Sequence, residues 1–412
     1  MAKILPFKAV RPTRDKVSLI ASRPYQSYTQ AQRESRLEYN PYSFLHIVNP
    51  GYKYKKEISG EERFQLVRNR YEEFKEDGIF IQEETLCYYV YRIVNRDGFQ
   101  FTGIVAAASA EDYENNVIKK HEDTIEKREI TFKNYLKTVG FNAEPVLMTY
   151  PFDETLSGIM LKTAETRAEY EFTTTYRDTH YLWKIDDAET MGKIKAAFSE
   201  MKKIYIADGH HRSASSYLLA QDLKEENPKH TGTEAYNFFM AYFIPENELR
   251  IQEFNRVVRD LNGMTKEEFL IKLDTCFRIE NRDDEFYKPT KKHHFSMYLD
   301  GEFYSLYLRK TAYTFDTSLS KLDAQILYKT ILEPILGVCD LRNDDRIDYV
   351  AGKKDMAYVK EFVDSKKFAV GFGMLPVTID EMKQIADEGL KMPPKSTYIE
   401  PKLRNGVTIY EF

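Results

Sequence analysis

Cysteine is scarce in this 412-residue chain: Cys87, Cys276 and Cys339 are the whole complement. They are widely separated, show no metal-type spacing, and as an odd, sparse set fit a reducing compartment. Long hydrophobic runs are missing as well. No apolar stretch approaches the roughly 20 residues of a membrane span. Met1-Ala2-Lys3-Ile4-Leu5-Pro6-Phe7 has none of the apolar core of a signal peptide. A cytoplasmic protein with no membrane partner is expected. Excess positive charge is absent too: 60 Lys and Arg stand against 65 Asp and Glu, a formal net charge of −5. Proteins that wrap DNA usually carry a basic footprint, because phosphate neutralisation supplies most of the affinity. No nucleic-acid partner is therefore expected. A small anionic ligand stays open, since a local group of Arg, Lys and helix N–H donors can hold one. Tryptophan occurs once, against 30 Tyr and 26 Phe. Tyr-rich strands and half-buried surfaces explain that content better than base-stacking platforms do.

The chain also lacks internal repeats, coiled-coil heptads, low-complexity tracts and any Pro/Gly/Ser linker. Its length still exceeds what one core usually fills, so two to three lobes of a mixed α/β fold with mixed sheets are expected. We place them at 1–150, 151–264 and 265–412, with soft boundaries. Residues 1–50 read as strands and turns. Phe64, Val67, Tyr71 and Phe74 recur at helical spacing after Ser59 or Gly60, and Asp77-Gly78 stops that helix. Leu86–Val94 and Gly103–Ala108 read as a hairpin around Asn95-Arg96-Asp97-Gly98. Glu111–Lys137 reads as mostly helical. Strands follow at 146–150, in 165–187, at 203–207 and at 238–244, with helices at 191–201 and 213–223. In the last third we expect helices near 266–276, 319–332 and 379–388. Strands are expected near 295–299 and 303–308, with 369–374 as the last core strand.

The element with most chemistry is a buried strand, then Asp208-Gly209-His210-His211-Arg212, then a helix. Gly209 allows a sharp turn and close approach of a ligand. The following helix presents unsatisfied N–H groups and the positive end of its dipole, which together suit phosphate. Arg212 can grip phosphate oxygens with two parallel hydrogen bonds. His210 or His211 can donate to phosphate, and His211 can shuttle a proton. Asp208 can orient an imidazole or hold a metal ion. The bland alternative is a surface turn, but a basic triplet straight after a buried strand is unusual for one. His210 and His211 do not read as a chelating pair, because adjacent residues rarely supply two ligands. Two further clusters stand out. Lys119-Lys120-His121-Glu122-Asp123-Thr124 taken alone is a solvated helical charge run. Met392-Pro393-Pro394-Lys395-Ser396-Thr397 is a rigid loop whose Lys395, Ser396 and Thr397 suit anion or hydroxyl recognition. Without glycines it is no Walker loop.

Gly209-His210-His211-Arg212 with its flanks resembles the signature of the ParB/sulfiredoxin-like superfamily, which includes free-serine kinases. There a Gly-x-x-Arg turn at a helix N-terminus binds nucleotide phosphates. Nearly end to end, the chain resembles a bacterial domain-of-unknown-function family, number 1015, sometimes labelled ParB-like. The landmarks are Pro6–Pro12, Asn40–Leu45, Lys119–Thr124, Ile206–Arg212, Phe254–Val258 and Met392–Lys402. One departure matters. The family often reads Pro-Pro-Tyr-Asp where this chain reads Arg23-Pro24-Tyr25-Gln26, so an acid usual there is missing. Glu122, which follows His121 in the family's Lys-His-Glu pattern, is the best remaining acid.

The resemblance implies an enzyme, a phosphotransferase working between ADP or ATP and serine or phosphoserine with Mg²⁺. In that reading Glu122, beside His121, takes the hydroxyl proton, and His211 and Asp208 assist. Gly209 to Ser213 and Lys395 to Thr397 hold phosphates, and Asp208 holds the metal. Lys120, Thr124, Arg11, Asn255 and Arg256 contact substrate. The expected partners are a nucleotide and a small molecule, and a homo-oligomer is open. The alternatives are a ParB-like nucleotide-dependent DNA-binding protein and a phosphoserine phosphatase with water as acceptor.

Overall fold

The computed structural model describes every residue except Lys353. The fold is mixed α/β, and the chain divides into two compact units. One comprises Met1–Lys120, Thr124–Leu249 and Pro401–Phe412; the other comprises His121–Asp123 and Arg250–Glu400.

The first unit is organised on a nine-stranded mixed sheet. Its spatial order is Ile118–Lys119, Ile204–Asp208, Val146–Tyr150, Phe238–Pro245, Gln100–Ser109, Tyr88–Val94, Thr179–Ile185 and Tyr170–Thr173, with Ile4–Leu5 also on Gln100–Ser109. The central pair is the expected hairpin. Asn95 Oδ1 accepts the N–H groups of Asp97 and Phe99 at 3.0 and 2.9 Å, and Gly98 supplies the positive φ of 82° that the turn needs. Strand Phe238–Pro245 is buried at every position, because it lies inside the sheet, antiparallel to Gln100–Ser109 and parallel to Val146–Tyr150. Helix Gly60–Glu76 buries Phe64, Val67, Tyr71 and Phe74, the face its spacing announces. Helix Glu126–Val139 ends on Gly140 in the left-handed region. It packs on helix His210–Glu226, with Lys133 paired to Asp222 at 2.6 Å and Lys137 to Glu226.

The second unit carries a six-stranded, wholly antiparallel sheet. Its order is Phe277–Asn281, Glu302–Leu308, His294–Leu299, Val370–Gly373, Phe254–Val258 and Ile347–Ala351. Alternation puts Val258, Phe295, Met297 and Leu306 in one cluster with Phe269 and Leu273 of helix Lys266–Asp274. Val257, Tyr298 and Phe303 fall in another, with Val359 and Val363 of helix Met356–Asp364. Among the described residues no helix is long and apolar enough to cross a membrane.

Several expectations need correction. The compact units do not follow the boundaries at 150 and 264. Strand Phe238–Pro245, from beyond residue 150, pairs with Gln100–Ser109 and Val146–Tyr150 from before residue 151, so 151–249 closes the same sheet as 1–150. The last residues also return to the first unit, where Tyr410–Glu411 pairs with Phe141–Asn142. Residues 1–50 are not only strands and turns. Gln30–Tyr39 is a helix opened by a capping box, in which Thr29 Oγ1 accepts from Gln32 N–H and Gln32 Oε1 from Thr29 N–H. Only Leu37 is buried on that helix, so apolar periodicity could not reveal it. The segment 111–137 is not one helical run. Ala110–Glu114 and Glu126–Val139 are helices, but Ile118–Lys119 is a strand and 120–125 is irregular. Strand Val370–Gly373 is followed by the short strands Tyr398–Glu400 and Tyr410–Glu411.

Candidate active site

Strand Ile204–Asp208 is buried from Ile204 to Ala207 and emerges at Asp208. Its register against Val146–Tyr150 slips between Ile206 and Asp208, an irregularity that re-aims the last residue. Gly209 then turns with φ 106° and ψ 30° into the 17-residue helix His210–Glu226. Two facts demand glycine here. The φ is positive, and a Cβ would stand 3.0 Å from Nε, Cζ and Nη2 of Arg212, whose guanidinium folds back over the turn. Arg212 Nη1 donates to Pro145 O at 2.5 Å and pairs with Glu144 Oε1 at 2.9 Å. His211 Nε2 accepts the Ile125 N–H at 3.1 Å, which leaves the proton of a neutral ring on Nδ1. Ser215 Oγ ties the two helices by donating to Glu129 O at 3.0 Å.

Asp208 sits between two cations. Its carboxylate is 3.0 Å from Lys402 Nζ and 4.0 Å from Arg212 Nη2. Enclosure by protein pushes its pKa up, but the attraction of Lys402, then of Arg212, outweighs that and holds it at about 2. A carboxylate already facing an ammonium and a guanidinium is a poor ligand for a divalent cation, so Asp208 does not fit the Mg²⁺ role expected of it.

Beside this turn the first unit encloses a cavity of about 690 Å³. His211, Arg212 and Ser216 of the helix line it, and so do Arg63, Lys127 and Arg128. The lining thus holds four permanent cations, Arg63, Lys127, Arg128 and Arg212, and one carboxylate, Glu144. The opposite character comes from Phe44, Phe64, Phe132, Tyr135, Phe141 and Phe239, an aromatic wall. Asn405 also lines the cavity; it is 6% exposed, and its Oδ1 has no hydrogen-bond partner. The cavity therefore suits a ligand with an anionic end and a flat apolar body.

The other expected residues belong to both units. In the first, His210 is buried at the helix start and Ser213 is fully buried, its Oγ donating back to Gly209 O at 3.3 Å; neither lines the cavity. Arg11 is buried in a structural network with Glu83, with Glu169 at 3.1 Å and with Tyr170 Oη at 2.9 Å, which accounts for its charge without a substrate. Lys120 Nζ lies 3.9 Å from the Tyr113 ring centroid, and Thr124 is half-buried. In the second unit His121 is fully buried, not on a solvated helix, and its carbonyl accepts Met392 N–H at 2.9 Å. Glu122 is half-buried beside it. Arg256 donates to Lys395 O at 3.2 Å, and Asn255 Nδ2 to Lys354 O at 3.4 Å. Ser396 Oγ donates to Pro393 O at 2.7 Å, and Thr397 is buried. This unit therefore gathers pieces from three distant stretches: 121–122, 255–256 and 392–397.

A profile for one protein family matches residues 4–325. The chain belongs to the family described as protein of unknown function (DUF1015). No curated protein matches this DUF1015 member. Among solved structures it is similar to a free serine kinase in complex with AMP, at 12% identity and a TM-score of 0.36, covering 74% of this chain and 91% of that one. It is also similar to SbnI with a C-terminal truncation from Staphylococcus aureus, at 12% identity and a TM-score of 0.37, covering 74% and 85%. A conserved hypothetical protein from Pyrococcus furiosus matches at 11% identity and a TM-score of 0.34, covering 74% and 94%. Superposition this loose transfers neither a substrate nor a residue role. Sequence reading missed Glu144, Lys127, Arg128, Asn405 and Lys402. No motif marks them, and they reach the turn or the cavity only through folding. The one local signal was the Gln26 departure, which falls on the cavity wall.

Proposed function

We propose that the cavity beside Gly209 binds a nucleotide, and that the DUF1015 member catalyses phosphoryl transfer between an adenine nucleotide and serine or phosphoserine. The observation that carries the binding half is the lining: four cations against one carboxylate at a helix N-terminus, faced by an aromatic wall. Phosphates take the cationic end and the base takes the wall. The adenine and serine identities come from the family resemblance. In the forward direction the bond between the serine oxygen and phosphorus breaks, a bond to the terminal phosphate oxygen of ADP forms, and serine regains a proton. Such transfer needs charge neutralisation and alignment more than covalent help from the protein. Arg212 contributes the first, and it is available once a phosphate displaces Glu144. Magnesium enters as the counter-ion of the nucleotide phosphates, not as a ligand of Asp208. Purified protein mixed with phosphoserine, ADP and Mg²⁺ is expected to form ATP, read with luciferase. If neither that mixture makes ATP nor serine plus ATP makes ADP, the substrate assignment is wrong. The base role of Glu122 rests on the family resemblance, since Glu122 does not line the cavity; Glu122→Gln tests it, and turnover of serine with ATP should fall by roughly 10²–10⁴ with little loss of binding.

A further inference from the structure

A second group of cations stands beside the same cavity, and neither the family landmarks nor the site above uses it. An isolated antiparallel bridge joins Ser22 to Asn405, with Ser22 N–H on Asn405 O at 3.3 Å and the return bond at 2.8 Å. It sets Arg23 and Arg404 close together, although 381 positions separate them in the chain, by 404 − 23. Their guanidinium carbons lie 3.4 and 5.7 Å from the ring centroid of Tyr176, and that of Arg36 lies 5.6 Å from it. Arg33 sits 4.5 Å over Tyr25. Among the described residues, the only carboxylate paired with any of these four arginines is Asp178, 2.7 Å from Arg404 Nη2. Arg404 is 4% exposed, and its Nε has no hydrogen-bond partner. Burial first, and Arg23 second, make its charge harder to keep. None of the four arginines lines the cavity, but their chain neighbours do: Asn405, next to Arg404, and Tyr25 and Gln26, just after Arg23.

Gathering the guanidinium groups of Arg23, Arg36 and Arg404 around one ring, with a single carboxylate paired to Arg404, costs repulsion and desolvation unless something anionic completes the set. The stacking on Tyr176, Tyr25 and Tyr28 holds the side chains in place without cancelling their charge. We propose that Arg23 and Arg404 form a second oxyanion subsite for a carboxylate or phosphate group, next to the stretch of cavity wall made by Gln26 and Asn405. A ligand that reaches from the cavity to this subsite carries two separated anionic groups, one at Arg212 and one at Arg23 and Arg404. The assignment rests on reading the cavity as the ligand site.

Calorimetric titration with inorganic phosphate at constant ionic strength tests it. The wild-type chain is expected to take up two phosphates. Arg23→Gln, a half-exposed position that folding tolerates, should lose one of them or weaken it by roughly tenfold or more. Arg212→Ala should lose the other. Arg96→Gln, an exposed turn residue with the same charge change, should keep both. Arg404→Lys keeps the buried charge and should weaken the same phosphate as Arg23→Gln. Added acetate that displaces only the Arg23-dependent phosphate marks a carboxylate subsite; failure to displace it marks a phosphate subsite. If the wild type binds a single phosphate that Arg212→Ala abolishes and Arg23→Gln leaves alone, the second subsite does not exist and the Arg212 site stands. If Arg212→Ala keeps two phosphates while Arg23→Gln keeps one, the second subsite stands and the Arg212 reading falls.

Discussion

At the scale of single residues the site turns on Gly209, Arg212 and Glu144. Gly209→Ala puts a Cβ into the Arg212 guanidinium and forces a non-glycine residue to a positive φ. It should cost roughly 1–3 kcal/mol of stability and weaken phosphate binding, measured by chemical denaturation and calorimetry. Arg212→Ala should abolish nucleotide binding and leave the fold intact, and Arg212→Lys should rescue little because the two-pronged geometry is lost. Unchanged affinity in either variant would remove Arg212 from the site. Glu144 is the opposite case. It occupies Arg212 in the structure, so Glu144→Gln should free a donor and tighten phosphate binding severalfold. Weaker binding in that variant would mean that Glu144 positions Arg212 for the ligand and does not compete with it. The Asp-Gly-His-His-Arg run was legible in the sequence because glycine and basic residues between a strand and a helix have few other uses. Glu144 and Lys402 were not legible, since charged residues are common and only folding chooses which of them meet.

At the scale of elements, local chemistry explains most of what forms. Helices open on side-chain caps at Thr29, Asp153, Asp187, Thr265, Asp355 and Thr378. Thr29→Ala should cost about 1 kcal/mol and speed hydrogen exchange across 30–39, the helix that carries Arg33 and Arg36. Unaltered exchange there would show that tertiary contacts, not the cap, hold the helix. Strongly periodic elements such as Gly60–Glu76 were readable from apolar spacing. Gln30–Tyr39 was not, because a helix that buries only Leu37 leaves no apolar stripe. The capping box was its one available signal. Residues 120–125 show the converse: their charge suggested a solvated helix, yet His121 is fully buried.

At the scale of the whole molecule the two units should respond to pH with opposite sign. In the first, burial, and then repulsion from Arg404, lower the His180 pKa to about 3. The ring is stacked 5.0 Å from Phe172, with Nδ1 2.7 Å from Tyr91 Oη. Between about pH 6.5 and 3 the unfolded chain binds a proton that the native ring refuses. Stability of this unit should therefore fall as pH drops through that window, by up to about 1.4 kcal/mol per pH unit for this group. In the second unit, burial raises Asp323 to about 7, against weaker lowering by the His293 N–H and Lys292. Here the native carboxyl keeps a proton that the unfolded one has lost, so stability falls as pH rises from about 4 to about 7 and is level above. Asp323→Asn keeps an acceptor for His293 N–H, 2.8 Å away, and should stabilise at pH 8 far more than at pH 5. Fluorescence of Trp183, the single tryptophan and a residue of the first unit, reads the first effect. Hydrogen exchange in strand His294–Leu299 reads the second. Equal stabilisation by Asp323→Asn at both pH values would refute the raised pKa.

The sequence by itself determined the mixed α/β class, the family, the absence of long apolar helices, and a glycine turn with Arg212 at a helix start. These depend on neighbours in the chain, on residue chemistry within a few positions or on the landmarks as a set. Tertiary structure alone decided where the units divide, because strand Phe238–Pro245 takes partners far away in the chain, Gln100–Ser109 and Val146–Tyr150. It also decided which charges line the cavity. Arg63, Lys127, Arg128 and Arg212 share that surface only once the helices and the sheet have packed, and Arg23 meets Arg404 only through a bridge between the two ends of the chain.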